Sequence, residues 1–140
     1  MEQKELYTFQ ARLAEKTPTI VPIGDHADSR GLLRVVENLP FDVKRVFWIE
    51  HVPRWEHRAG HGHSECEQII ICVRGHFVLQ VGLHQFTLCG SDSHGVHVPV
   101  NNIVMLAKFS DDAIALVLCS HEYNPSEVIE REDEIHEPVQ

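Results

Sequence analysis

Short runs of apolar, β-branched and aromatic residues recur along this chain with alternating polar positions, and the alternation has the period of two that sets strand side chains on opposite faces. On this basis strands are predicted over Thr19–Ile23, Gly31–Glu37, Val43–Glu50, His57–His63, Gln68–Val73, Phe77–Val81, Gln85–Leu88, Gly95–Pro99, Ile103–Phe109 and Ala113–Ser120. The breaks between them are turn-like: Arg74-Gly75, Gly82 and Gly90-Ser-Asp-Ser93 separate the middle strands, and Ser110-Asp-Asp112 takes the position of a hairpin turn. Strands at this spacing predict an all-β antiparallel jelly roll or barrel. Only Pro125-Ser-Glu-Val-Ile-Glu-Arg-Glu-Asp133 carries a helical start signal, a proline followed by acidic residues, so a short C-terminal helix is expected there. The acidic tail from Glu130 reads as a solvated surface segment. No repeat or linker interrupts the pattern, and residues 1–140 read as a single domain.

Composition narrows the partners. With 140 residues, 43% of them hydrophobic, one core is the simplest expectation. A formal charge of −9 with histidine neutral argues against nucleic-acid binding, which needs a basic face, but leaves room for a phosphorylated small molecule held by local arginines. No apolar span suggests a membrane segment or leader, and Cys66, Cys72, Cys89 and Cys119 show no C-x-x-C spacing. A reduced, cytoplasmic protein is therefore expected. Cys72 and Cys119 fall within strand-like apolar runs and read as small buried hydrophobes.

The chemistry concentrates in Arg58-Ala-Gly-His-Gly-His-Ser-Glu-Cys-Glu67. An H-x-H pair on a strand points both imidazoles of His61 and His63 to one face, a geometry that suits a metal or a proton shuttle. Metal-binding cupins, jelly rolls with the site inside the barrel, follow such a pair with a carboxylate, matched here by Glu67, and with a later histidine, which Pro99-Val-Asn-Asn-Ile-Val104 does not supply. A metal, if one binds, would draw on His57, His61, His63 and Glu67, the three histidines sharing one face by strand parity. A proton shuttle needs only a base whose pKa lies near working pH, about 6.5 for histidine, with a neighbour to fix its tautomer.

Asp28-Ser-Arg-Gly31, Leu39-Pro-Phe-Asp-Val-Lys-Arg-Val-Phe47, Arg58-x-x-His61-x-His63, Gln68-Ile-Ile-Ile-Cys-Val-Arg-Gly75 and Phe109-Ser-Asp-Asp-Ala-Ile-Ala-Leu-Val-Leu118 appear in one register from about residue 20 to residue 130. In these motifs the chain resembles the dTDP-4-keto-6-deoxyhexose 3,4-ketoisomerases, WxcM-like sugar-nucleotide cupins. The resemblance implies a metal-independent isomerase without a cofactor, a dTDP-linked sugar nucleotide as ligand, and a homodimer with exchanged N-terminal strands. It assigns catalysis to His61 and His63 and the pyrophosphate to Arg58. It also marks departures: Glu50 stands where the family has tyrosine, Ser64 where it has lysine, His57 where an arginine often lies, and Asn101-Asn-Ile-Val-Met105 where a tryptophan and a glutamate are common. Glu50, His57 and the loop residue Trp55 accordingly join Arg58 as candidate substrate contacts. Two other readings stay open, a metal-dependent cupin enzyme on another small molecule and a non-catalytic cupin that binds a sugar nucleotide.

Overall fold

The computed structural model describes residues 17–130. In chain order its strands are β1 (Thr19–Pro22), β2 (Gly24–Asp28), β3 (Gly31–Val35), β4 (Arg45–Glu50), β5 (His57–His63), β6 (Gln68–Arg74), β7 (His76–Val81), β8 (His84–Cys89), β9 (His94–Val98), β10 (Val104–Ala107), β11 (Ile114–Cys119) and β12 (Val128–Glu130). Two five-stranded antiparallel sheets face each other, one ordered β1-β9-β6-β11-β4 and the other β12-β5-β10-β7-β8, while β2 and β3 form a separate hairpin. The all-β jelly roll predicted from strand spacing is the observed fold.

Periodicity explains where each strand lies. β4 alternates half-buried and exposed positions, so Arg45, Phe47 and Ile49 face the interior and Val46, Trp48 and Glu50 face out. In β6 the residues Gln68 to Cys72 are all buried. The reason is that apolar layers cover both faces of its sheet: Ile70 and Cys72 join the inter-sheet core around Phe77, Leu79 and Val81, and Ile69 and Ile71 pack with Val21 and Ile23 on the outside. Phe77 and Phe109 stack at 5.3 Å in the inner core.

Three expectations are corrected. Ser110-Asp-Asp112 is a turn but not a hairpin: β10 pairs with β5 and β7, β11 pairs with β4 and β6, and the turn carries the chain from one sheet to the other. The C-terminal helix is absent among the described residues; Pro125–Glu127 makes a single 3₁₀ turn, capped by Asn124, whose side chain accepts from the Ser126 amide at 3.1 Å. The β-branched pair Val128-Ile129 then favours strand over helix, and β12 runs antiparallel to β5. Glu130 thus belongs to a sheet rather than to a free acidic tail, the rest of which lies outside the described residues. The third correction concerns parity. The β10/β5 register jumps from Val104↔His61 to Met105↔Ala59, leaving Gly60 as an extra residue with φ 89°, the signature of a glycine bulge. The bulge shifts the phase of β5 by one, so Arg58, opposite Leu106, shares the inner face with His61 and His63, while His57 has the opposite parity.

Gly62, between the two histidines, has no room for a side chain. A Cβ there would sit 2.7 Å from the Asn102 carbonyl oxygen, in a loop tied to β5 by the Asn101 amide donating to the His63 carbonyl at 2.7 Å. Gly62→Ala is therefore expected to lower stability by about 1–3 kcal/mol, the usual cost of overpacking. Chemical denaturation followed by tryptophan fluorescence would measure it, and an unchanged midpoint would refute the close approach.

Candidate active site

A cavity of about 670 Å³ opens between the two sheets. Six strands, β4, β5, β6, β10, β11 and β12, and the segment from Tyr123 to Pro125 supply its walls. Arg45, Phe47 and Ile49 come from β4, Arg58, His61 and His63 from β5, and Val104 and Leu106 from β10. Gln68 and Ile70 of β6 lie deeper, Tyr123 and Pro125 close one side, and β12 contributes Val128 and Glu130. The lower wall is apolar and the histidine side is polar, the usual character of a small-molecule site.

His63 is the best fixed of the polar groups. Its Nδ1 lies 2.8 Å from Oε2 of Glu127, whose side chain is only 5% exposed. The other carboxylate oxygen of Glu127 accepts from the Cys66 amide at 3.2 Å. The Glu127 backbone carbonyl accepts from the Ser64 amide at 2.9 Å and from the Ser64 hydroxyl at 3.2 Å. A buried carboxylate is tolerated only when such donors satisfy it. With Glu127 as carboxylate, the bond to His63 requires the proton on Nδ1, so Nε2 is left as the free base; this is the orienting role an acid plays behind a catalytic imidazole.

His61 also has a carboxylate neighbour. Its Nδ1 is buried and lies 3.2 Å from Oε2 of Glu130, its cross-strand partner, in a contact without the alignment of a hydrogen bond. Arg45 lies over two aromatic rings, 4.8 Å from the centroid of Phe47 and 5.3 Å from that of Tyr123.

The other predicted site residues are distributed unevenly. Arg58 lines the cavity as expected, and His57 reaches its rim despite the bulge. Glu50 faces away from it on β4, and Trp55, 83% exposed in the loop before β5, does not line it. Glu67, which immediately precedes β6, does not line the cavity and instead bonds His97 Nε2 of β9 at 2.8 Å. Among the described residues His57, His61, His63 and Glu67 therefore do not converge as a donor set, and no cluster of three histidine, cysteine or acidic residues is placed to hold a metal.

The cysteines do not reach the cavity. A hydrogen bond to Cys66 and burial together hold the Cys119 thiol protonated, while the same bond shifts Cys66 the other way. Burial pushes Cys72 up to about 12.

Five polar site residues lie outside the predicted set: Arg45, Gln68, Tyr123, Glu127 and Glu130. Arg45 was legible, since it shares strand parity with Phe47 and Ile49 in an amphipathic run. Glu127 was not, because nothing local distinguishes an acid that meets a histidine 64 positions away.

Comparison with known proteins agrees with this geometry. Residues 16–139 match the family model described as FdtA: WxcM-like, C-terminal. A TDP-4-oxo-6-deoxy-alpha-D-glucose-3,4-oxoisomerase from Aneurinibacillus thermoaerophilus is 34% identical over 115 residues, covering 76% of this chain and 81% of that one. Among solved structures, the Thermoanaerobacterium thermosaccharolyticum 3,4-ketoisomerase QdtA is similar, as a histidine-to-asparagine variant in complex with TDP-4-keto-6-deoxyglucose. It superposes with a TM-score of 0.73 at 25% identity, covering 84% of this chain and 89% of that one. A 3,4-ketoisomerase from Helicobacter canadensis gives a TM-score of 0.72 at 31% identity, covering 84% and 92%. With its H-x-H pair inside a jelly-roll cavity and the family match running through nearly all of its length, this chain belongs to the WxcM-like, C-terminal (FdtA) family.

Proposed function

We propose that this chain is a sugar-nucleotide 3,4-ketoisomerase that converts a dTDP-4-keto-6-deoxyhexose into its 3-keto isomer, with His61 and His63 as the proton-carrying pair. The observation that carries this reading is the placement of both imidazoles on the cavity wall, with the tautomer of His63 set by the buried Glu127. The relatives named as 3,4-ketoisomerases support it. The C3–H bond of a 4-keto sugar is acidified by the adjacent carbonyl. A neutral imidazole removes that proton while O4 takes one from an acid, forming an enediol; return of a proton to C4 and loss of one from O3 leaves the 3-keto product. Atoms and charge balance within the substrate and the two histidines, and no redox partner is needed. Each step needs a group that both accepts and donates near neutral pH, which is the property of imidazole. Arg58, facing the cavity without an ionic partner among the described residues, serves the phosphates. His57 at the rim is a secondary contact, and Glu50 and Trp55, which lie outside the cavity, take part only if an assembly brings them to a neighbouring site.

The same reading includes one cupin domain acting as a homodimer with exchanged N-terminal strands in a reducing, cytoplasmic setting. Support comes from exposed apolar residues, Leu32 and Leu33 on the separate β2–β3 hairpin and Val46 and Trp48 on the outer face of β4, the kind of patch that marks an interface. The four free thiols fit a reducing compartment. Within the single chain β1 pairs with β9.

Incubation with dTDP-4-keto-6-deoxyglucose in D₂O, followed by proton NMR, tests the reaction. Isomerisation with deuterium uptake is expected, and His63→Asn should reduce it by about 10²–10⁴-fold, the usual contribution of a positioned base. Glu127→Gln should lower the rate in the same direction without adding to the His63→Asn loss, because it acts through that ring. Unchanged exchange in both histidine variants would defeat the residue assignment; tight TDP binding without turnover would favour a non-catalytic module. For the assembly, light scattering should report a dimer that Trp48→Glu converts to monomer, and a monomeric unmodified protein would contradict it.

A further inference from the structure

One short segment, from Glu127 to Glu130, brings a carboxylate to each imidazole of the H-x-H pair, and the two couples differ in their access to water. β12 runs antiparallel to β5 with Val128 opposite His63 and Glu130 opposite His61. Directly opposed residues of such a pair share a face, with Cβ atoms about 4.5–5.5 Å apart, and His61 and Glu130 both line the cavity. The couple of His63 is dry, its side chain 21% exposed and that of Glu127 only 5%. The couple of His61 is wet, with the imidazole 44% and the Glu130 side chain 53% exposed.

One atom of His61 is nevertheless shut off from water. Its Nδ1 is buried without a hydrogen bond, and the Glu130 carboxylate stands 3.2 Å from it. A buried ring nitrogen left in that state is costly. With a proton on Nδ1, a small rotation of the half-exposed Glu130 side chain completes the bond. No arginine competes for this carboxylate, since the arginine ion pairs of the described residues all go to Asp25, Asp28, Asp111 and Asp112. Satisfying Nδ1 in this way leaves Nε2 as the working nitrogen, the state that Glu127 gives His63.

We propose that Glu130 is the positioning residue of His61: it selects the Nδ1–H tautomer and holds the ring with Nε2 toward the ligand. The contact serves both charge states, because the neutral ring then presents a lone pair at Nε2 and the imidazolium presents an N–H there. Glu130 acts through the imidazole and not on the ligand. The identity of the substrate rests on the sugar-nucleotide reading, whereas the tautomer of His61 does not.

Heteronuclear NMR of the imidazole nitrogens in the full chain, without ligand, reads that tautomer. The His61 signals, identified by their loss in His61→Asn, should show Nδ1–H as the major neutral form. Glu130→Ala should move His61 toward the Nε2–H form and leave His63 unmoved, and Glu130→Gln, whose amide oxygen still accepts from Nδ1–H, should restore the parent pattern. In turnover of dTDP-4-keto-6-deoxyglucose, Glu130→Ala should lower kcat about 10–100-fold, the scale of losing the partner that orients a histidine. KM should stay within about twofold, and Glu130→Gln should recover most of the lost rate. Melting temperatures should match that of the parent, because β12 is held by backbone pairing with β5. A parent His61 in the Nε2–H form, or a Glu130→Ala variant with an unaltered tautomer, would overturn the positioning role. A raised KM with kcat and tautomer retained would make Glu130 a ligand contact instead and overturn it as well. A tautomer that responds as expected in a protein that does not isomerise the sugar nucleotide would sustain the positioning role and defeat the sugar-nucleotide reading.

Discussion

The hydrogen bond between Glu127 and His63 is the joint on which the working half of this molecule is assembled. A carboxylate with 5% exposure is costly unless its oxygens are occupied, and here one meets His63 and the other the Cys66 amide. That requirement fixes the 3₁₀ turn carrying Glu127 against the loop that follows β5. Once the turn is fixed, Val128–Glu130 has one direction to take, along β5, and its three residues cover what would otherwise be the open edge of the second sheet. The same contact therefore orients an imidazole, closes an edge and brings Glu130 beside His61. A glycine separates the two histidines because the other face of β5 is already taken by the loop through Asn102.

Much of this fold is written in periodicity, and the exceptions have physical causes. β5 is bounded by His57 and His63 as alternation predicts, and β6 shows as an unbroken apolar run because both of its faces are covered. β2, Gly24-Asp-His-Ala-Asp28, has no apolar face to read, since it pairs only with β3 in a hairpin whose residues are largely exposed. β12 was hidden by Pro125-Ser-Glu127, which signals a helix start; one turn forms, and then pairing with β5 outweighs local propensity. The grouping of His57 with His61 and His63 failed for a different reason. Strand parity holds only while pairing is regular, and Gly60, in a run of alternating glycines and histidines, inserts one residue and moves Arg58 to the inside. A glycine within a strand is a recognised sign of a bulge, so this displacement could have been read. The meeting of Glu127 with His63 could not, since it depends on where the last strand lies.

The distribution of charge ties the cavity to its ligand. The chain carries 21 acidic against 12 basic residues, so a guanidinium on its surface has carboxylates within easy reach, and four of the six described arginines pair with one. Yet the two acids near the site, Glu127 and Glu130, are directed at imidazoles rather than at Arg45 or Arg58. Two charge systems thus share one cavity without neutralising each other. Carboxylates behind histidines prepare bases, and unpaired guanidiniums leave a positive field for a ligand to complete. If Glu130 instead turned to an arginine, the protein would gain one more surface-type ion pair, worth about 0–1 kcal/mol, and lose both the cation and the carboxylate beside His61. An acidic protein that keeps two cavity arginines free in this way takes its missing counter-charge from what binds, and that is the demand a sugar diphosphate meets.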